Sequence, residues 1–193
     1  MRTTGSAYLC ILFVALATGR DLVTNGDFEL APGFGWQLDT WGMFPDTGNC
    51  RLRWQHDIAP DRDREVMLHK MLHQGMRLSQ KLSVTTLDLG CAVSCRLSAK
   101  TERESLFAAA CVGLEYLDCR DSVIGETRIY SATAGCPWTS TPVLHLISAP
   151  DSLHWHDYHF NIAEELNTNL PGVIPDSVKA IRVYMLGFVL GNC

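Results

Sequence analysis

The side chains in this chain best suited to chemistry are aromatic and planar polar ones. Five tryptophans and five tyrosines occur among its 193 residues. The apolar face of a pyranose stacks on such rings, while planar polar groups hydrogen-bond its hydroxyls. Trp41 and Trp138 sit in loop-like contexts, which makes them candidate stacking platforms. Arg182 and Tyr184 alternate with Ile181 and Val183, so on a strand they share the face opposite that apolar pair. These four form the candidate carbohydrate-binding set, with ordinary core and rim packing as the alternative for each.

Other reactive groupings are weaker. His154 and His156 are two apart and on a strand would point the same way, a spacing that can chelate zinc or copper. His159 would face the opposite side, so this strand alone does not supply three convergent ligands. Glu115 and Glu126 are conceivable as a hydrolytic carboxylate pair across a hairpin, but nothing else marks them. The chain has no Gly-x-Ser-x-Gly elbow and no His-Glu-x-x-His. The reading is therefore of a protein that is not an enzyme.

The elements that would hold these residues begin after an apparent leader. Arg2, an apolar run from Ala7 to Ala17 and the small residues Thr18-Gly19 read as a secretory signal peptide, residues 1–19. That run is shorter than the roughly 20 residues a membrane span needs. Residues 20–193 are then one domain, secreted or extracytoplasmic, with no membrane span. A net charge of −5 with interspersed signs argues against nucleic acid as a partner. Seven of the eight cysteines lie beyond the apolar run. In an exported chain they read as disulfides, and the odd number leaves a thiol for a disulfide-linked partner.

Periodicity in the mature part is two. Alternating runs at 91–99, 110–116, 123–130, 157–162 and 181–186 read as half-buried strands, with shorter candidates at 49–54, 77–84 and 143–148. Asp118 to Ser122 is the turn of a hairpin. Residues 163–170 look weakly helical and stop at Pro171-Gly172, and 58–64 and 137–142 read as loops. Some eight short strands with turns between them indicate an all-β antiparallel sandwich.

Particular motifs sharpen this reading. They are Asn25-Gly26-Asp27-Phe28-Glu29 with Gly35-Trp36, Leu78-Ser79-Gln80-Lys81-Leu82, Cys95 to Lys100, Val112 to Asp118, Trp155 to Phe160, and Val178 to Val183. In this order the mature chain resembles the carbohydrate-binding modules of the CenC type, in the galactose-binding-domain-like superfamily. The resemblance implies a jelly-roll β-sandwich that recognises a polysaccharide or glycan. It also implies a structural calcium at the N-terminal turn, with Asp27 and Glu29 as metal ligands. Calcium takes six to eight oxygens, and the family's aspartate-rich final strand, the usual partner, is missing here. The expected fold is thus a jelly roll short of its final strand, with Phe28 and Trp36 in the core. The alternative function is a structural or adhesive extracellular sandwich that binds no sugar.

Overall fold

Alternation of apolar and polar residues becomes β-structure along most of the chain. The computed structural model describes residues 6–10, 23–42, 48–54, 64–71, 74–83, 91–101, 107–150 and 152–189. Its strands are β1 (Ser6–Cys10), β2 (Gln37–Trp41), β3 (Gly48–Trp54), β4 (Arg64–Met71), β5 (Gln74–Ser83), β6 (Ala92–Thr101), β7 (Ala108–Leu117), β8 (Val123–Ala132), β9 (Leu144–Ser148), β10 (Ser152–Asn161) and β11 (Ala180–Val189). A five-stranded sheet has the order β10-β6-β1-β4-β3, and a six-stranded sheet the order β2-β5-β11-β7-β8-β9. Every pairing is antiparallel except β8 with β9. The protein is an all-β sandwich.

The sheets bury the apolar phase of each strand between them. On β11, Ile181, Val183 and Met185 enter the core, and on β5 so do Met76 and Leu78. β8 shows the alternation most cleanly: Thr127, Ile129 and Ser131 are buried, while Glu126, Arg128 and Tyr130 are half-buried on the other face. β7 is buried along its whole length, because β11 and β8 flank it and side chains from both lie over its outer face. Residues without a Cβ make that cover possible, as described below.

The hairpin forms as its turn chemistry predicts. The Asp118 carboxylate accepts from the backbone N–H of Arg120 (2.7 Å) and Ser122 (2.9 Å). These amides favour the ionised form and hold its pKa below the ordinary value. Asp121 takes the left-handed conformation, φ 64°, that the turn requires. The weak helical signal is α1, Ile162–Asn169, capped by Asn161, whose side chain accepts from the Glu164 N–H at 3.2 Å. Ile162 and Leu166 anchor it to the core.

The opening turn is fastened to the sandwich at several points. Phe28 and Trp36 are both buried with ring centroids 5.1 Å apart. Asn25, at φ 52°, accepts from the Leu30 N–H at 2.9 Å through its side chain. Gln80 of β5 closes the segment by accepting from the Thr24 N–H (2.7 Å) and donating to the Gly35 carbonyl (2.8 Å). The Leu78-Ser79-Gln80 motif therefore serves the core with Leu78 and the turn with Gln80.

Four features differ from the sequence reading. Trp41 is not in a loop but ends β2, an edge strand whose Gln-Leu-Asp-Thr-Trp pattern gives no apolar stripe to read. β4 was not foreseen, since Val66, Met67 and Leu68 are buried in succession and hide the period of two. Residues 6–10, inside the expected leader, form the middle strand of the five-stranded sheet. Most of the 58–64 loop lies outside the described residues, as do residues 1–5 and 11–19 of the leader. The cysteines also differ. Cys95, Cys111, Cys119 and Cys136 are free thiols; Cys91 and Cys95 are buried in the apolar core, and Cys111 is buried against the Tyr184 hydroxyl.

Candidate functional site

The outer face of the six-stranded sheet gathers most of the polar chemistry. Register alone predicts the grouping. Asp39 pairs with Arg77, Arg182 with Glu115, Glu115 with Glu126, and Tyr184 with Gly113, which in turn pairs with Arg128. Opposed residues on neighbouring strands point to the same face, so five strands contribute to one surface.

Two clusters result. In the first, Glu115 is the hub: Arg77 Nη1 donates to its Oε1 at 3.3 Å, and Arg182 Nη1 donates to its Oε2. Arg77 also reaches Asp39 Oδ2 on the edge strand at 3.7 Å. In the second, Arg128 makes a two-pronged contact with Glu126 through Nε (2.5 Å) and Nη2 (2.8 Å). Arg128 Nε also donates to the Tyr184 hydroxyl at 3.0 Å, and that hydroxyl donates to Glu126 Oε1. Burial would lower the Arg128 pKa, but the bonds and charge of Glu126 outweigh it and hold it above the usual value. Burial first, with the adjacent Glu126 carboxylate adding to it, pushes the Tyr184 phenol well above its ordinary pKa, so its O–H is a fixed donor.

The aromatic rings are placed by glycine. A Cβ on Gly113 would lie 2.3 Å from the Tyr184 ring, and one on Gly75 would lie 2.2 Å from the Trp41 ring. Each ring therefore lies on bare backbone of the neighbouring strand. The consequences differ. Tyr184 is 2% exposed and serves as a support, whereas Trp41 is 37% exposed and presents ring surface to solvent. Trp138, in the loop between β8 and β9, folds back over the sheet. The Arg128 guanidinium stands 4.6 Å from its ring centroid, and Tyr130 meets it edge-on at 5.7 Å.

All four sequence candidates lie on or over this one sheet. Arg182 and Tyr184 point outward while Ile181 and Val183 are core. Trp41 stands on the β2 edge and Trp138 over β8. The residues that complete the arrangement, Asp39, Arg77 and Arg128, carried no sequence signal beyond being polar in alternating strands. Glu115 and Glu126, considered as a hydrolytic pair, are neighbours across the β7–β8 hairpin, each committed to arginine.

A second polar cluster lies on the other side of the sheet. Glu165 of α1 is 3% exposed. It accepts from Thr127 Oγ1 (2.7 Å) and Asn169 Nδ2 (2.7 Å) and contacts His145 Nδ1 at 2.6 Å. Tyr116 extends the chain through Thr127 at 3.3 Å. Its members tie α1 to β7, β8 and β9, a bracing role.

Asp27 and Glu29 are exposed on the opening turn, where Asp27 Oδ1 accepts from the Glu29 N–H at 3.3 Å. Among the described residues no three histidine, cysteine, aspartate or glutamate side chains converge to hold a metal. Two carboxylates on an exposed turn supply fewer oxygens than the six to eight of a calcium shell. His154 and His159 are exposed and His156 half-buried on β10, whose register against β6 shifts between Ser152 and His156. No helix among the described residues is long and apolar enough to cross a membrane. A comparison with protein-family models finds no match to this chain, and a comparison with curated proteins finds none either.

Proposed function

We propose that this chain is a secreted, non-catalytic β-sandwich of the galactose-binding-like kind that recognises a glycan on the outer face of its six-stranded sheet. One observation carries the reading: the half-exposed indoles of Trp41 and Trp138 flank a band of arginine–carboxylate pairs on a single face. Stacking on an indole supplies apolar contact with a sugar ring, and guanidinium and carboxylate edges supply directional contacts to hydroxyls. Trp41 and Trp138 would contact the sugar. Arg182, one-quarter exposed at most, would reach hydroxyls from the side, and buried Tyr184 would hold Arg128 beneath Trp138. The pairs already made within the band mean that its geometry is set before a ligand arrives, which lowers the ordering cost of binding.

Broad glycan-array screening of the purified protein tests this reading. Retention of one related group of glycans is expected, and no binding across the panel would contradict it. The alternative, a structural or adhesive role, is favoured by Cys119, an exposed free thiol at the tip of the β7–β8 hairpin. A disulfide-linked partner there would appear as a slower band on a non-reducing gel, abolished by Cys119→Ser.

A further inference from the structure

The strand β1 has an unusual position for a segment whose composition reads as a leader. It pairs antiparallel with β4, Ser6 opposite Met71 through Cys10 opposite Met67, and antiparallel with β6, Ala7 opposite Thr101 through Cys10 opposite Ser98. β4 and β6 therefore run parallel to each other with one strand between them. A hairpin does not close such a gap; it takes an extended segment running against both neighbours. β1 also lies against β11 and β7 of the facing sheet, so it roofs the core as well as joining two halves of its own sheet.

We infer that β4 and β6 form a strand-acceptor slot whose resident is the chain's own Ser6–Cys10. A continuous apolar run serves equally as a signal-peptide core and as an interior strand of a sheet. Removal of residues 1–19 during export would take the middle strand out of the sheet, dividing it into β10-β6 and β4-β3. Two facing unpaired edges invite strand addition. The slot then selects an extended apolar peptide of about five residues like the one it holds here, supplied in trans.

A protease site inserted between Thr18 and Gly19 of the full chain tests this. After cutting, the N-terminal fragment is expected to co-elute with the remainder and to leave only in denaturant. An excess of labelled synthetic peptide covering residues 5–12 should exchange into the complex. In the uncut chain, the amides of Tyr8 and Leu9 should be protected from hydrogen exchange. Leu9→Pro, which removes a ladder donor from a middle strand, should lower Tm by roughly 10 °C or more. Release of the fragment while the remainder keeps its elution volume and Tm would overturn the inference. Free exchange at Tyr8 and Leu9 in the uncut chain would do so too. If the remainder aggregates on cutting, added peptide should keep it soluble, and aggregation despite the peptide counts against the slot.

Discussion

Gly113 and Gly75 are chemically the same position on two parts of one face, yet replacing them should have opposite consequences. A methyl at Gly113 would sit 2.3 Å from Tyr184 Cζ and its hydroxyl oxygen, about 1 Å inside ordinary contact. Tyr184 is 2% exposed, and its hydroxyl is held by Arg128 and Glu126, so the ring has nowhere to go. Overpacking of this kind costs about 1–3 kcal/mol, and displacing the hydroxyl adds a charged hydrogen bond worth about 1.5 kcal/mol. The sum, about 2.5–4.5 kcal/mol, corresponds to a fall in Tm of roughly 5–18 °C for a chain of this size. Gly75→Ala meets the Trp41 ring at 2.2 Å, an equally severe overlap on paper. Trp41, however, is 37% exposed on an edge strand and can swing outward. Its cost should stay near 1 kcal/mol or below, while the platform is lost. Calorimetric melts of the two variants beside the parent decide the matter. A neutral Gly113→Ala, or a Gly75→Ala more destabilising than it, would refute the argument that the buried ring is a support and the exposed one a platform.

Three further outcomes follow from the same geometry. Glu115→Ala strips both Arg77 and Arg182 of their shared acceptor. With those side chains 29% and 23% exposed, part of the loss is recovered by water, and urea melts should show a cost of roughly 2 kcal/mol. Glu165→Leu leaves Thr127, Asn169 and His145 without their common acceptor in a nearly water-free site, so a loss of about 3 kcal/mol is expected and an unchanged urea midpoint would contradict the bracing role. Burial pushes the Cys95 and Cys111 thiols up to about 12 from a value of 9.0. A raised thiol pKa favours the folded state below pH 9, and that advantage is lost as pH rises from 9 toward 12. Each thiol should steepen the decline by roughly 1 kcal/mol per pH unit in that window. The Cys95→Ala, Cys111→Ala double variant should flatten it in urea melts at stepped pH.

The sequence disclosed the strands that keep one phase dry and one wet. β7, β8 and β11 were legible for that reason, and with them the shared face of Arg182 and Tyr184. β4 was hidden because Val66, Met67 and Leu68 are all buried, which erases the period of two. β2 was hidden because an edge strand with polar residues in both phases looks like a loop. β1 was hidden by chemistry common to leaders and interior strands. Within the candidate site, Glu115 and Glu126 were visible as a pair across a hairpin. The arginine partners of Glu115 were not, because Arg77 and Arg182 come from strands distant in sequence and only sheet order brings them to it. The cysteines misled in the same way: export suggests disulfides, but Cys95 and Cys111 are buried free thiols, Cys95 in the apolar core and Cys111 against the Tyr184 hydroxyl.

The central claim is that the outer face of the six-stranded sheet, between Trp41 and Trp138, is a glycan-binding surface. Titration calorimetry of the best array ligand against the parent, Trp41→Ala, Trp138→Ala and His159→Ala tests it most directly, the last altering an exposed residue of the other sheet. Each tryptophan variant should lose about tenfold or more in affinity with an unchanged near-native melt, while His159→Ala binds as the parent does. Undiminished binding by both tryptophan variants would place the glycan elsewhere and contradict the account.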